Sequence, residues 1–225
     1  MLETSDLVGI SFWLISAAMV AATYFFTVER DRVKGKWKTS LSVAAMVTGI
    51  AAIHYFYMRG VWVETGKSPL VYRYIDWLLT VPLQFVEFYL ILAAITAVRA
   101  LLFWKLMIFS LIMLVFGFLG EYGAMNTWLA FAIGMGAWFY ILYEIFLGEA
   151  SKINAASGTE ASKKAYNALK WIVSVGWVIY PIGYVLGQGQ GGEASLNLIY
   201  NIADLVNKIA FGAIIWAAAV SDSNS

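Results

Sequence analysis

Residues 70–96, LVYRYIDWLLTVPLQFVEFYLILAAIT, form an apolar run long enough to cross a bilayer, yet they carry Arg73, Asp76 and Glu87. About 20 such residues span the hydrocarbon core as a helix. A charge at mid-depth costs roughly 2.5 kcal/mol or more, so an ionisable residue there marks a function by default. Thr80 follows Asp76 by four residues and Glu87 follows it by eleven. Both intervals are nearly whole helical turns, so the three side chains share one face, with Glu87 about 16 Å further along the axis than Asp76. One span thus presents a polar stripe with carboxyl groups at two depths.

Working outward, six more runs of the same kind occupy about 6–28, 40–62, 101–121, 126–148, 166–187 and 196–220. The expected fold is all-α: a bundle of seven transmembrane helices, 1–225 forming a single domain in the lipid bilayer. Composition agrees, since 61% of residues are hydrophobic and 13% charged, whereas a soluble chain lies near half apolar and a quarter charged. Fifteen basic and fourteen acidic residues nearly cancel, leaving no field to attract nucleic acid. There are no cysteines, which excludes disulfides and thiolate chemistry. A single histidine argues against a metal centre.

The first run opens with Glu3 and Asp6 rather than a basic segment, and so reads as a span and not as a signal peptide. The longest connection, between the fifth and sixth runs, carries Gly148, Ser151, Asn154, Ser157, Gly158 and Thr159 and reads as a mobile polar link. The Gly187–Gly192 stretch reads as a flexible turn, since no strand precedes it to make it a phosphate cradle. Basic residues gather in alternate connections: Arg30, Arg32, Lys34, Lys36 and Lys38 in the first, then Arg99 and Lys105, then Lys152, Lys163, Lys164 and Lys170. The other side has little beyond Arg59 and Lys67. The N-terminus is therefore expected outside and the C-terminus in the cytoplasm.

Three more ionisable groups fall within spans: His54 in the second, Asp204 and Lys208 in the last. Lys208 lies near mid-depth, with Asp204 one turn outward on nearly the same face. Asp76 and His54 share that outer layer, Arg73 lies a further turn out, and Glu87 stands alone on the far side. The plain alternative is a structural ion pair between Lys208 and Asp204. It leaves unexplained a second carboxylate opposite and a lone one near the other surface. A buried amine is a good Schiff-base former, and carboxyls placed asymmetrically about it suggest a gated proton path.

The motif Arg73-Tyr74-Ile75-Asp76-Trp77-Leu78-Leu79-Thr80-Val81-Pro82 resembles the third-helix signature of microbial rhodopsins. Asn201-Ile202-Ala203-Asp204-Leu205-Val206-Asn207-Lys208 resembles their retinal-lysine helix, and Trp177-Val178-Ile179-Tyr180-Pro181 their aromatic clamp. The resemblance covers all seven spans and is strongest to proteorhodopsins. It implies all-trans retinal bound covalently to Lys208 as a protonated Schiff base, Asp76 as counter-ion and proton acceptor, and Asp204 as second counter-ion. Arg73 would steady the acidic cluster, Tyr55 and Tyr180 would hydrogen-bond Asp204, and Glu87 would be the proton donor. In an apolar half-channel Glu87 is expected to hold its proton at rest. Asp76, Thr80 and Glu87 together match the pattern of outward proton pumps.

The same resemblance makes His54 a partner that tunes Asp76, the two titrating as one unit; a hydrogen-bonded packing role is the alternative. Gln84 matches the colour-tuning position, where glutamine implies blue absorption; a polar contact between helices is the alternative there. The expected pocket comprises Trp77, Met113, Gly117, Trp138, Trp177, Tyr180, Pro181 and Tyr184. Tyr184 departs from the archaeal pumps, which usually have tryptophan. Their paired outer glutamates have no clear match, Glu193 alone being weak. The resemblance further implies a bacterial inner-membrane protein, a transporter of protons rather than an enzyme. It also implies a homo-oligomer, pentamer or hexamer, with Trp13 and His54 near the interface. The competing readings are a sensory photoreceptor of the same fold, or a retinal-free transporter or receptor.

Overall fold

A computed structural model describes residues 3–187 and 192–224. Its helices are α1 (Leu7–Glu29), α2 (Trp37–Thr65), α3 (Leu70–Ile95), α4 (Ala100–Glu121), α5 (Thr127–Phe146), α6 (Glu149–Ser157), α7 (Glu160–Ser174), α8 (Ile179–Gly187) and α9 (Glu193–Ser223). Short 3-10 turns at Arg30–Arg32 and Gly176–Val178 extend α1 and join α7 to α8. Among the described residues, seven stretches are long and apolar enough to cross a membrane, with α5–α6 and α7–α8 each forming one. The chain is a seven-helix bundle.

Local chemistry sets the helix ends. Asp6 caps α1 by accepting from the Gly9 N–H at 2.9 Å, and Asn126 caps α5 through Leu129 N–H at 3.0 Å. At the end of α2 the chain leaves through Gly66 at φ 64°, a left-handed conformation that glycine adopts without strain.

Two expectations change. The polar link between the fifth and sixth runs is mostly helix: α6 covers Glu149–Ser157 and α7 begins at Glu160. Glu149, Ala150, Lys152, Ala155 and Ala156 favour helix, and Ala150 and Asn154 are buried beneath the polar face that reads as loop. The sixth span is also not one continuous helix. Gly176 is a poor helix former, and Pro181 has no N–H for the carbonyl of Trp177, so the ladder tightens into a 3-10 turn at this level. Of the proposed Gly187–Gly192 turn, residues 188–191 lie outside the described residues.

The helices form a ring in chain order, with α9 closing against α1, α2, α7 and α8. α5 packs closely on α4 but meets α7 and α8 only sparsely. Large apolar side chains face outward all round, among them Tyr24, Ile53, Leu147 and Val175, each more than 60% exposed. That surface suits lipid and not water. Polar residues collect instead at the bundle ends and inside: Trp37 Nε1 donates to Asp222 at 2.9 Å at one end, and Trp62 Nε1 to Asp6 at 3.1 Å at the other.

Candidate functional site

Asn197, Asn201, Asp204 and Lys208 recur at intervals of four, three and four along α9, so one helical face turns all four inward; each is at most 3% exposed. α3 supplies Arg73, Asp76, Thr80 and Glu87, each at most 1% exposed. Tyr55 comes from α2 and Tyr180 from α8.

Lys208 Nζ donates to Asp76 Oδ2 and lies 3.1 Å from Asp204 Oδ2. Asp204 also accepts from Tyr180 O–H at 2.6 Å, Tyr55 O–H at 2.8 Å and Trp77 Nε1–H at 3.2 Å. Asp76 is less well served, because its Oδ1 has no hydrogen-bond partner among the described residues. Two buried carboxylates and the Lys208 ammonium leave one negative charge, and Arg73 supplies the balance. Charges withdrawn from water are tolerated only when paired and hydrogen-bonded in this way.

Arg73 reaches the carboxylates indirectly. Its guanidinium donates to Asn197 Oδ1 and Asn201 Oδ1, each at 2.9 Å, and to Tyr55 O–H at 3.3 Å. The rings of Phe12, Tyr55 and Tyr200 surround it at 5.4–5.8 Å. Thr80 Oγ1 bonds the Asp76 carbonyl at 2.9 Å and not the carboxylate. His54 Nδ1 lies 2.9 Å from the Ile50 carbonyl oxygen and 3.9 Å from Asp76 Oδ1, too far for a hydrogen bond. Within one chain the two are near neighbours without a direct hydrogen bond. Trp13, 48% exposed, packs edge-on against Phe56 and under Arg59.

Glu87 stands apart on the opposite side of Lys208. Among the described residues its carboxyl oxygens make no well-formed hydrogen bond, and the Ser40 hydroxyl is its polar neighbour.

Lys208 and Asp204 close one part of a cavity of about 110 Å³. Trp77, Gln84, Met113, Gly117, Trp138, Trp177, Tyr180, Pro181 and Tyr184 all line it. Tyr55 stands behind Asp204 instead. Trp77 and Tyr180 meet edge to face at 5.3 Å, as do Phe85 and Trp177 at 5.0 Å. A Cβ at Gly117 would come within 3.2 Å of the Tyr74 hydroxyl, so a larger residue there needs that hydroxyl to give by a few tenths of an ångström. That hydroxyl donates to Glu121 Oε2 at 2.8 Å.

Sequence reasoning missed Tyr74, Phe131, Met135 and Tyr200 in the cavity wall, Glu121 behind Tyr74, and the two asparagines holding Arg73. The asparagines were discoverable, since they continue the polar face of Lys208 and Asp204. Phe131, Met135 and Trp138 share a helical stripe too, but α5 is apolar all round and gives that stripe no contrast.

The family model described as bacteriorhodopsin-like protein matches residues 6–222. A green-light absorbing proteorhodopsin of Gamma-proteobacterium EBAC31A08 is 59% identical over the whole of this chain and 91% of its own length. A blue-light absorbing proteorhodopsin of Gamma-proteobacterium Hot 75m4 is 58% identical, again over the whole chain and 90% of its own length. The crystal structure of a blue light-absorbing proteorhodopsin from Med12 superposes with a TM-score of 0.84 at 57% identity, covering 96% of this chain and 100% of that one. Green and blue relatives are equally similar, so overall identity does not decide colour. Retinal is the chromophore that such kinship implies, and the mostly aromatic and apolar lining of the cavity beside Lys208 suits an apolar group. The chain is a multi-pass protein of the bacterial cell membrane and belongs to the bacteriorhodopsin-like family, among the close relatives of the proteorhodopsins.

Proposed function

We propose that this protein is a light-driven outward proton pump that absorbs blue light through retinal carried on Lys208, a transporter and not an enzyme. The observation that carries this reading is the asymmetry around Lys208. Two carboxylates adjoin its Nζ on one side, and a lone, unpartnered carboxyl lies on the other.

Held on Lys208 as a protonated Schiff base, retinal would supply light absorption and photoisomerisation. The protein decides where the proton on the lysine nitrogen goes. Asp204 has its charge stabilised by three neutral donors, whereas Asp76 Oδ1 accepts no hydrogen bond from the described residues, so the proton passes from the Lys208 nitrogen to Asp76. Glu87 is too poorly solvated to hold a charge without a cost of several kcal/mol, so it rests as a neutral acid. It then refills the lysine nitrogen from the opposite side, and the two transfers together move charge in one direction. Arg73, fixed by Asn197 and Asn201, offsets the negative charge of the acidic pair and keeps it compact. The end bearing Arg30–Lys38 faces the cytoplasm by its basic residues, which makes Glu87 the cytoplasmic donor and the direction outward.

The aromatic walls formed by Trp77, Trp177 and Tyr180 would clamp the polyene, and the Gln84 amide beside it supports the blue assignment. His54 tunes Asp76 through space, and Thr80 holds the Asp76 turn. The half-exposed Trp13 and the partly buried His54 lie near the face through which copies associate into a homo-oligomer, pentamer or hexamer.

The decisive experiment supplies all-trans retinal to expressing cells and then illuminates them unbuffered. Colour followed by prompt external acidification, abolished by a protonophore, is the expected result. Colour with a slow photocycle and no pH change would replace the pump with a photosensor.

A further inference from the structure

The proton that Glu87 gives inward has to be replaced from the end of the bundle beyond it, yet Glu87 is 1% exposed. Most of the bundle on that side is sealed by apolar packing. Phe88 meets Tyr166 edge to face at 5.1 Å, and Leu92, Leu169 and Ile215 have no exposed surface. The corner between the start of α2 and the end of α9 is different, because polar groups line up there. Ser40, the polar neighbour of Glu87, is wholly buried, and its hydroxyl makes no well-formed hydrogen bond among the described residues. A buried polar group left in that state calls for an explanation.

Trp37 lies three residues before Ser40 on the buried face of α2, about 4.5 Å nearer the end of the bundle. Helical side chains lean toward the N-terminus of their helix, which tips the Ser40 hydroxyl toward the Trp37 turn. Trp37 is the first residue of its helix, yet it is only 4% exposed, so its indole is folded inward over the core. Its Nε1–H donates to Asp222 Oδ2 at 2.9 Å, and three residues earlier the Lys34 N–H donates to Ser223 Oγ at 3.0 Å. Both acceptors belong to the last turn of α9. The connection between α1 and α2 is thereby clasped to the α9 end, with the indole as its stopper.

We infer that Trp37 is the lid of the intake that refills Glu87 and Asp222 its latch, with the Ser40 hydroxyl as the relay beneath. The inference rests on the pump reading above. When the indole lets go of Asp222, water reaches Ser40. The hydroxyl then passes its own proton to the Glu87 carboxylate and takes another from the water side, so Ser40 ends unchanged and Glu87 neutral. With the latch made, the same indole keeps water from Glu87 while its proton goes inward, which protects the direction of transport. Tryptophan suits both states, being a large apolar body with a single polar handle.

The test follows two rates after a flash on membranes: recovery of the Schiff base, which reports donation by Glu87, and proton uptake seen by a pH-indicator dye, which reports its refilling. Trp37→Phe keeps a ring but loses the donor. A hydrogen bond to a carboxylate holds its partner by a factor of about ten, so uptake should quicken by up to that factor while colour and Schiff-base recovery stay unchanged. Asp222→Ala should quicken uptake alike, and the double variant no further than either single one, because both break the same bond. Ser40→Ala removes the relay and should slow uptake about tenfold, an opposite sign that general loosening of the fold does not give. Trp216→Phe loses a 2.7 Å bond to Glu29 on the α1 side of the same end and should leave both rates alone. In the dark, the Glu87 carboxyl band in the infrared should exchange faster in heavy water for Trp37→Phe, a readout that needs no photoreaction. Unchanged uptake in Trp37→Phe and Asp222→Ala, normal uptake in Ser40→Ala, unaltered dark exchange, or equal quickening by Trp216→Phe would each overturn the lid. An unsubstituted protein that takes up no proton in the light would instead remove the pump reading on which it stands.

Discussion

Replacing Glu87 with glutamine removes a transferable proton while keeping the size and neutrality of the side chain. Glu87 is 1% exposed and its carboxyl lies beside the Ser40 hydroxyl without a well-formed hydrogen bond to any described residue, so the exchange costs little hydrogen bonding and uncovers no charge. It lies about 16 Å along α3 from Asp76. Even a full charge at that distance would act on the acidic pair by only about 1 kcal/mol at an effective dielectric constant near 20, and a neutral-for-neutral exchange by far less. Resting colour should therefore stay nearly unchanged. Recovery should not, because a positioned general acid is worth about 10²–10⁴ in rate. Without it the lysine nitrogen must draw protons from bulk water, and the recovery should become roughly tenfold slower with each added pH unit, following the free-proton concentration. Flash photolysis of membranes between pH 6 and pH 9 (about three units, chosen to span neutrality) measures both features. If Glu87→Gln recovers at the unsubstituted rate with no new pH dependence, the donor assignment and its directional argument are wrong.

The other outcomes concern the opposite side of Lys208. Asp76→Asn should move absorption to longer wavelength and stop light-driven pH change, both read on the same membranes. Lys208→Ala should leave the purified protein colourless after incubation with retinal; retained covalent colour would dismiss the attachment site. Gln84→Leu should shift the maximum toward green, and an unmoved maximum would refute the tuning role. Tyr180→Phe removes a 2.6 Å hydrogen bond to the Asp204 carboxylate. Bonds to charged groups are worth about 1.5–3 kcal/mol, so the temperature at which colour is lost should fall by several degrees, and an unchanged bleaching temperature would show that bond to be dispensable.

Much of the bundle was legible because lipid imposes a length. The run at 70–96 and helix α3 at Leu70–Ile95 differ by one residue. The boundaries fail where that constraint ends. Glu149–Ser157 reads as loop because its polar residues are scored against hydrocarbon, but at the membrane surface a helix needs only one buried side. The 3-10 turn at Gly176–Val178 was announced by Gly176 and Pro181, yet apolar periodicity is blind to a change of pitch within an apolar segment.

The sequence by itself determined which side chains share a helical face and how deep each lies: Lys208 one turn from Asp204, and Glu87 in line with Asp76. These follow from a regular rise and rotation per residue, quantities internal to one helix. Only the tertiary structure decided what meets across helices. It joined Asp76 to Lys208, gave Asp204 three neutral donors, turned Arg73 toward two asparagines, and left the seam at α5 and α8 loosely closed. Such contacts depend on the rotation and separation of neighbouring helices, which packing between non-consecutive residues sets and no pattern within a single span encodes.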